Sequence, residues 1–492
     1  MFRDWNDNMQ NIQKFLDRST SVWVRPGVIF WNGKNGSFMD DDLTKQRRKI
    51  NSTAYFVLQN CYGQTIYEII EKVKLKFKEH NNQEEDVIEF LTQLKNDGLI
   101  IDKSPRDFIN YSCKTDFPLG LVFCELTHSC NFRCLTCYNC SGEIKEQEMS
   151  TLQWKIALEK IASVNPETQT TVIFTGGEPL LRRDFFEIAS HAKSLGLYIQ
   201  LFTNGSFIDS NTAQKIADLK IDYVRISVDG ASPEKNDVIR GKGNFEKAIN
   251  AMKLLTKLKV KVCWQSVISQ INFNEMDKML ESAIALGLDG FRISSLDPQG
   301  RGENIKDFCL SPKQEYHLWA FLEKAAINHG NEIKIGWGAD YCIDIEWKHI
   351  LLEPQIQSIN EIEQDPEILK KYMTNSMCGV GLRSFLITPS GDIALCPLLT
   401  SSELRMGNVL KDDLADIWLN GKALRILRET SLEEFSDCKF CGFRYSCVGG
   451  CRGLAYLSKN QLTACDPKKL GGLEYFADNF KVPVLYKPSI DF

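Results

Sequence analysis

Between residues 117 and 330 the sequence predicts an α/β fold, a parallel sheet of six βα units that falls short of the eight closing a full barrel. Three observations predict it. Six short apolar segments follow one another: "LGLVFCEL", "TVIFTGG", "LYIQLFTNG", "IDYVRISVDG", "VKVCWQSV" and "GFRISS". Helical stretches such as "LRRDFFEIASHAKSLG" and "NEMDKMLESAIALG" separate them. The motifs that carry chemistry fall at the C-terminal ends of these strands, where such folds place their reacting groups.

Composition bounds the rest. A chain of 492 residues with 43% hydrophobic content holds several domains. Its formal net charge of −5 argues against a nucleic-acid surface. The opening "MFRDWNDNMQNIQKFLDRST" lacks an apolar signal region, and no run of about 18 apolar residues suggests a membrane span. Seventeen cysteines in such a chain read as metal ligands of a cytoplasmic protein rather than disulfides.

In chain order, an extension (1–21) precedes a small winged-helix-like domain at 22–101. There "VRPGVIFWNGKNGSFMDDD" predicts two strands about a Gly/Asn turn, and "KQRRKIN" a third. Three helices follow, the last with Val87, Phe90, Leu91 and Leu94 on one face. After the α/β region comes a bridging stretch (331–377) where the alternation fades. A cysteine-rich block spans 378–466, and a tail (467–492) ends the chain.

The loop after the first α/β strand, "SCNFRCLTCYNCSG", spaces Cys130, Cys134 and Cys137 as C-x3-C-x2-C. Three thiolates on one tight loop hold three irons of a cubane cluster and leave the fourth iron open to a chelating small molecule. Two other readings stand beside it: a zinc site, and a cluster closed by Cys140.

"CNFRCLTCY" resembles the cluster loop of the radical S-adenosylmethionine (SAM) enzymes. Further matches follow in that family's order. "TGGEPLLRRD" resembles the segment that contacts the SAM ammonium, through Gly176, Gly177 and Glu178. Asn204 lies in "TNG", and Ser227 and Asp229 in "VRISVDG" are candidates for ribose or substrate. Arg240 in "IRGKGNF" is a candidate for the SAM carboxylate. Ordinary turn chemistry is the competing account of Ser227, Asp229 and Arg240. The resemblance implies a partial (βα)6 radical SAM barrel, whose 4Fe–4S cluster cleaves SAM to a 5′-deoxyadenosyl radical.

Cys378 and Cys396 are spaced C-x12-G-x4-C, and Cys438, Cys441, Cys447 and Cys451 follow as C-x2-C-x5-C-x3-C, with Cys465 beyond. This block resembles the SPASM iron–sulfur domain. By that resemblance Cys378, Cys396 and Cys451 hold one auxiliary cluster, and Cys438, Cys441, Cys447 and Cys465 a second. One three-cysteine cluster with an open iron and two fully ligated auxiliary clusters call for eleven cysteines, and the motifs supply ten. Either Cys342 or Cys309 completes the first auxiliary cluster, or one iron is open to a substrate thiolate.

The 22–101 domain resembles the peptide-recognition modules of ribosomally made peptide pathways, which bind a precursor's leader as an added strand. A DNA-binding winged helix is disfavoured by the acidic third helix. Together the three resemblances imply a radical SAM/SPASM maturase of the thioether-forming (sactipeptide) type, a bacteriocin-pathway enzyme. It would act on a precursor peptide with an electron donor such as flavodoxin or ferredoxin. Carbon–carbon or β/γ-thioether cross-linking, sulfatase maturation and a non-catalytic iron–sulfur carrier are the alternatives.

Overall fold

The structure is a computed structural model that describes residues 17–25, 28–33, 36–41, 46–77, 83–102, 119–142, 147–166, 169–338, 380–400, 402–430, 434–435, 438, 441 and 449–469. The chain divides into two compact units. One comprises Met1–Asp116, Pro366–Met377 and Thr430–Phe492; the other comprises Phe117–Asp365 and Cys378–Glu429.

In the first unit, β1 (Ser21–Val24), β2 (Val28–Gly33), β3 (Gly36–Asp41) and β4 (Gln46–Ile50) precede α1 (Ser52–Asn60), β5 (Tyr62–Thr65), α2 (Ile66–Lys76), α3 (Gln83–Asn96) and β6 (Ile100–Ile101). The expected meander β2–β3–β4 forms, with β2 and β4 at its edges. Helices α1 and α2 start where their capping residues dictate. The Asn51 side chain accepts from Ala54 N at 2.7 Å, and Thr65 and Glu68 form a capping box. Val87, Leu91 and Leu94 of α3 are buried and Phe90 packs beside them, as the spacing predicts. A second antiparallel sheet, β5–β1–β6, was not expected, because strands of four and two residues are too short to carry a periodic signal.

In the second unit, β7 (Leu121–Thr127), β8 (Thr171–Gly176), β9 (Tyr198–Thr203), β10 (Tyr223–Ser227), β11 (Val262–Ile268) and β12 (Gly290–Ser295) are the six expected parallel strands, side by side in chain order. The connecting helices are α4 (Thr151–Val164), α5 (Phe185–Ser194), α6 (Ser210–Asp218), α7 (Pro233–Arg240), α8 (Asn244–Lys257) and α9 (Met276–Ala285). The sheet extends further than the sequence suggests. After α10 (Pro312–His329), β13 (Lys334–Trp337) adds a seventh parallel strand within the stretch read as bridging. At the opposite edge β14 (Ser384–Ile387), from the cysteine-rich block, pairs parallel with β7, and β15 (Asp392–Ala394) and β16 (Gly407–Asn408) continue antiparallel. Helices α11 (Leu414–Asn420) and α12 (Lys422–Glu429) follow in this unit, and α13 (Arg452–Lys459) belongs to the first.

The two sheet faces differ. Phe174 meets Phe185 of α5 edge to face at 5.9 Å on the helix side. On the other face Phe123, Ile173, Leu386 and Ala394 cluster, with Phe202 packed against them. Among the described residues no helix is long and apolar enough to cross a membrane.

Candidate active site

The loop leaving β7 carries Cys130, Cys134 and Cys137, all partly buried. Burial pushes the Cys130 thiol up, and the nearby Glu178 and Cys137 add to it. Burial also raises Cys134 to about 11; Arg240 opposes this, while Asp229, Cys137 and Cys130 reinforce it. Desolvated thiols such as Cys130 and Cys134 ionise when a cation compensates them, which is what a metal-cluster ligand set requires. Among the described residues no His, Cys, Asp or Glu group converges on the position of a single metal ion. A cluster instead takes its thiolates at separate irons.

Other segments clamp this loop. Leu135 N donates to Ile239 O at 2.8 Å, in the last turn of α7. Arg301, following β12, donates from N to Cys137 O at 2.9 Å, from Nε to Cys134 O at 2.8 Å and from Nη1 to Ser141 O at 2.9 Å. A Cβ at Gly300 would lie 2.2 Å from Tyr138 O, so only glycine admits this approach. The sequence reading missed Arg301. The signal for it is "QGRG", a Gly–Arg step just past the end of a strand.

The double glycine after β8 serves the same junction. Gly177 N donates to Thr127 O at 2.7 Å and Glu178 N to Ser129 O at 2.8 Å, and a Cβ at Gly177 would fall 2.1 Å from Ser129 O. Gly176, at φ +115°, would bring a Cβ to 2.5 Å from Thr127 O. The close approach these glycines permit is thus to the cysteine loop's own backbone. Glu178 is 0% exposed. Its carboxylate accepts from Leu180 N at 3.1 Å, Thr203 Oγ1 at 2.7 Å and Asn204 N at 2.8 Å. Burial pushes that carboxyl up to about 7 against these hydrogen bonds. Asn204 in turn donates from Nδ2 to Asn131 Oδ1 at 2.9 Å, joining the end of β9 to the cysteine loop.

Ser227 ends β10, partly buried. Asp229 is 0% exposed; it accepts from Val267 N at 2.7 Å and pairs with Arg240 Nε at 2.8 Å. Burial alone would lower the Arg240 guanidinium, but Asp229 and then Cys134 outweigh it and raise it. Cys134 Sγ lies 3.5 Å from Arg240 O. The fold therefore brings Cys130, Cys134, Cys137, Glu178, Asn204, Asp229 and Arg240 to one end of the sheet. Cys140 adopts a left-handed backbone at φ 55°.

Of the C-terminal cysteines, Cys396 is buried just beyond β15 in the barrel unit. In the other unit Cys438 and Cys465 are buried against Phe435. A hydrogen bond with Cys438, then burial, raises the Cys465 thiol. Cys441 N donates to Cys438 O at 2.9 Å, and Cys451 N to Asp466 Oδ2 at 2.9 Å. Cys378, Cys447 and Cys342 lie outside the described residues. Cys309 closes the 3-10 segment Gly300–Phe308, its Sγ 3.7 Å from Leu296 O. Cys61, Cys124 and Cys263, read as small apolar residues, are fully buried.

Comparison with known proteins finds three family matches. Residues 124–283 match the radical SAM superfamily, 378–442 the SPASM iron–sulfur cluster-binding domain, and 44–100 coenzyme PQQ synthesis protein D (PqqD). The mycofactocin maturase MftC of Mycobacterium tuberculosis is 29% identical over 375 residues, 75% of this chain and 87% of that protein. A PqqA peptide cyclase of Rhizobium meliloti is 26% identical over 355 residues, 71% of this chain and 86% of the other. The crystal structure of Streptococcus suis SuiB bound to precursor peptide SuiA aligns with a TM-score of 0.55 at 16% identity, over 90% of this chain and 98% of that one, a likeness of fold. Three families matched in order along one chain, over this sheet and this cysteine loop, make it a radical SAM enzyme with a SPASM domain and a PqqD-like N-terminal region, whose cofactors are S-adenosyl-L-methionine and 4Fe–4S clusters.

Proposed function

We propose that the chain is a maturase that closes a sulfur-to-Cα thioether in a ribosomally made precursor peptide of the bacteriocin kind. The observation that carries this reading is a PqqD-like region, beginning within a meander whose edges β2 and β4 pair with no other described strand, on the same chain as the clamped three-cysteine loop. The names of the relatives, a maturase and a peptide cyclase, support it. When bound, the cluster and SAM supply a radical that removes a hydrogen atom from the peptide. Cys130, Cys134 and Cys137 hold the catalytic cluster. Gly176, Gly177, Glu178 and Asn204 shape the wall beside it, and Ser227 lies at the ribose end. Asp229 orients Arg240 through Nε, leaving the Nη donors for the SAM carboxylate. The assignment continues with Cys378, Cys396 and Cys451 at a first auxiliary cluster and Cys438, Cys441, Cys447 and Cys465 at a second. A flavodoxin- or ferredoxin-type protein delivers the electron. The edge of the β2–β3–β4 meander receives the leader as an added strand.

The test is anaerobic incubation of the reconstituted protein with SAM, dithionite and the peptide encoded by a short open reading frame beside its gene. The expected product has lost two hydrogens and has a cysteine that iodoacetamide no longer alkylates. A lighter product with every cysteine still free would replace the thioether by a carbon–carbon link. Replacing Cys130, Cys134 and Cys137 together by Ala should abolish 5′-deoxyadenosine, whereas Cys140→Ala should still form it. Loss in Cys140→Ala alone would overturn the ligand assignment.

A further inference from the structure

Cross-linking two sites of a peptide removes two hydrogens. One leaves as an atom. The other leaves as an electron and a proton whichever bond is made, so the site needs an electron acceptor and a base. The acceptor class is an iron–sulfur cluster of the C-terminal cysteines. None of the residues assigned so far serves as the base.

The sheet face away from the helices presents Phe123, Ile173 and Gln200 in one row, with Arg225, Gln265 and Arg292 on the same face nearby. Along β7 to β13 that face is apolar, hydroxyl, amide or cationic with one exception, the carboxyl of Glu125 towards the C-terminal end of β7. Glu125 is 1% exposed. Its Oε1 accepts from the Tyr138 hydroxyl at 2.7 Å and from Asn139 Nδ2 at 3.3 Å. Among the described residues no donor reaches Oε2. Glu125 is nearly sealed from water, and a carboxyl this deep with one oxygen uncommitted is costly and calls for a partner.

We propose that Glu125 is the base of the reaction, an inference that rests on the peptide cross-linking reading. In balance, X–H and Y–H of the peptide become X–Y. One hydrogen atom ends in 5′-deoxyadenosine, one electron passes to an iron–sulfur cluster, and the proton passes to Glu125 Oε2. Tyr138, directly after Cys137, keeps the carboxylate turned toward the end of the sheet where the thiols lie. Burial, the largest influence on this carboxyl, raises it against the Tyr138 hydrogen bond, the nearby His128 and the Asn139 hydrogen bond, and so strengthens it as a base.

The competing account is that Glu125 only tethers the cysteine loop through Tyr138. Full-length holoenzyme variants Glu125→Gln, Glu125→Asp and Tyr138→Phe, given SAM, dithionite and the neighbouring-gene peptide, separate the two. For a base, Glu125→Gln should cut cross-linked product about 100-fold or more. 5′-Deoxyadenosine should still form, so its ratio to product rises. Glu125→Asp should restore part of the product and move the acid limb of its pH profile, and Tyr138→Phe should keep most of it. Wild-type product from Glu125→Gln would overturn the proposal. So would an equal fall of product, 5′-deoxyadenosine and N-terminal cluster iron in both Glu125→Gln and Tyr138→Phe, which marks a tether. If the wild-type enzyme cleaves SAM but leaves the peptide's mass unchanged, the cross-linking reading itself fails and the base falls with it.

Discussion

Glu178 donates its backbone N–H to Ser129 O of the cysteine loop and accepts with its side chain from Leu180 and from the end of β9, so it is a junction before it is anything else. That position has a pH consequence. Its carboxyl is raised from an ordinary 4.5 to about 7 by burial. Between those values the unfolded chain has lost the proton that the folded chain keeps. Unfolding free energy therefore falls as pH rises across this window, by up to about 3 kcal/mol, and levels off above it. Glu178→Gln removes this titration while disturbing the Asn204 N hydrogen bond. The variant's stability relative to wild type should thus increase from about pH 5.5 to about pH 7.5, whatever its absolute offset. Urea unfolding at several pH values measures the difference, and a flat difference would mean the carboxyl is already ionised in the acid range.

Among the elements, the cysteine loop has little regular structure of its own and is held by its neighbours. The last carbonyls of α7 meet Leu135 N and Cys134 Sγ, and Arg301 grips the loop from beyond β12. Arg301→Ala removes the two side-chain bonds to Cys134 O and Ser141 O and keeps the backbone bond to Cys137 O. Hydrogen bonds from a charged donor contribute about 1.5–3 kcal/mol each, enough to loosen the loop. SAM cleavage should drop at least about tenfold, with iron lost from the N-terminal cluster and retained by the C-terminal cysteines. Mössbauer spectra paired with 5′-deoxyadenosine assays read both. Unchanged SAM cleavage would show that the loop's own turns suffice.

Across the whole molecule, the boundary between units falls within the cysteine-rich block. Cys396 and β14–β16 belong with the barrel, whereas Cys438, Cys441, Cys451 and Cys465 share a unit with the PqqD-like region. Within that unit burial raises the Tyr55 phenol of α1, and the nearby Cys441 adds to it. Deleting residues 1–101 should therefore do two things. Processing of the full precursor should fall steeply, because a docked leader raises the core peptide's effective concentration to roughly millimolar. The electron paramagnetic resonance signal of the auxiliary cluster proposed at Cys438, Cys441 and Cys465 should also shift, while slow uncoupled SAM cleavage persists. A truncated enzyme with full processing and an unaltered signal would separate the front domain from both roles.

The cysteine spacing, the double glycine and the alternation of strand and helix are local patterns, and the sequence by itself determined them. C-x3-C-x2-C needs only a tight turn, Gly176 and Gly177 need only the absence of a Cβ, and six parallel strands follow from repeated periodic segments. The meander and the buried face of α3 were legible for the same reason. Other features depend on which distant segments meet. Ser384 pairs with Leu121, Lys334 with Gly290, Arg301 with the cysteine loop and Arg240 with Asp229 across a turn and a helix. A four-residue strand such as "KIGW" or "SFLI" carries no period long enough to announce itself, and its partner is chosen by a free sheet edge and shared burial. Glu125 is the sharpest case. In sequence it is one acid in an apolar strand, and only the meeting of the loop with β7 binds one of its oxygens while no described residue donates to the other.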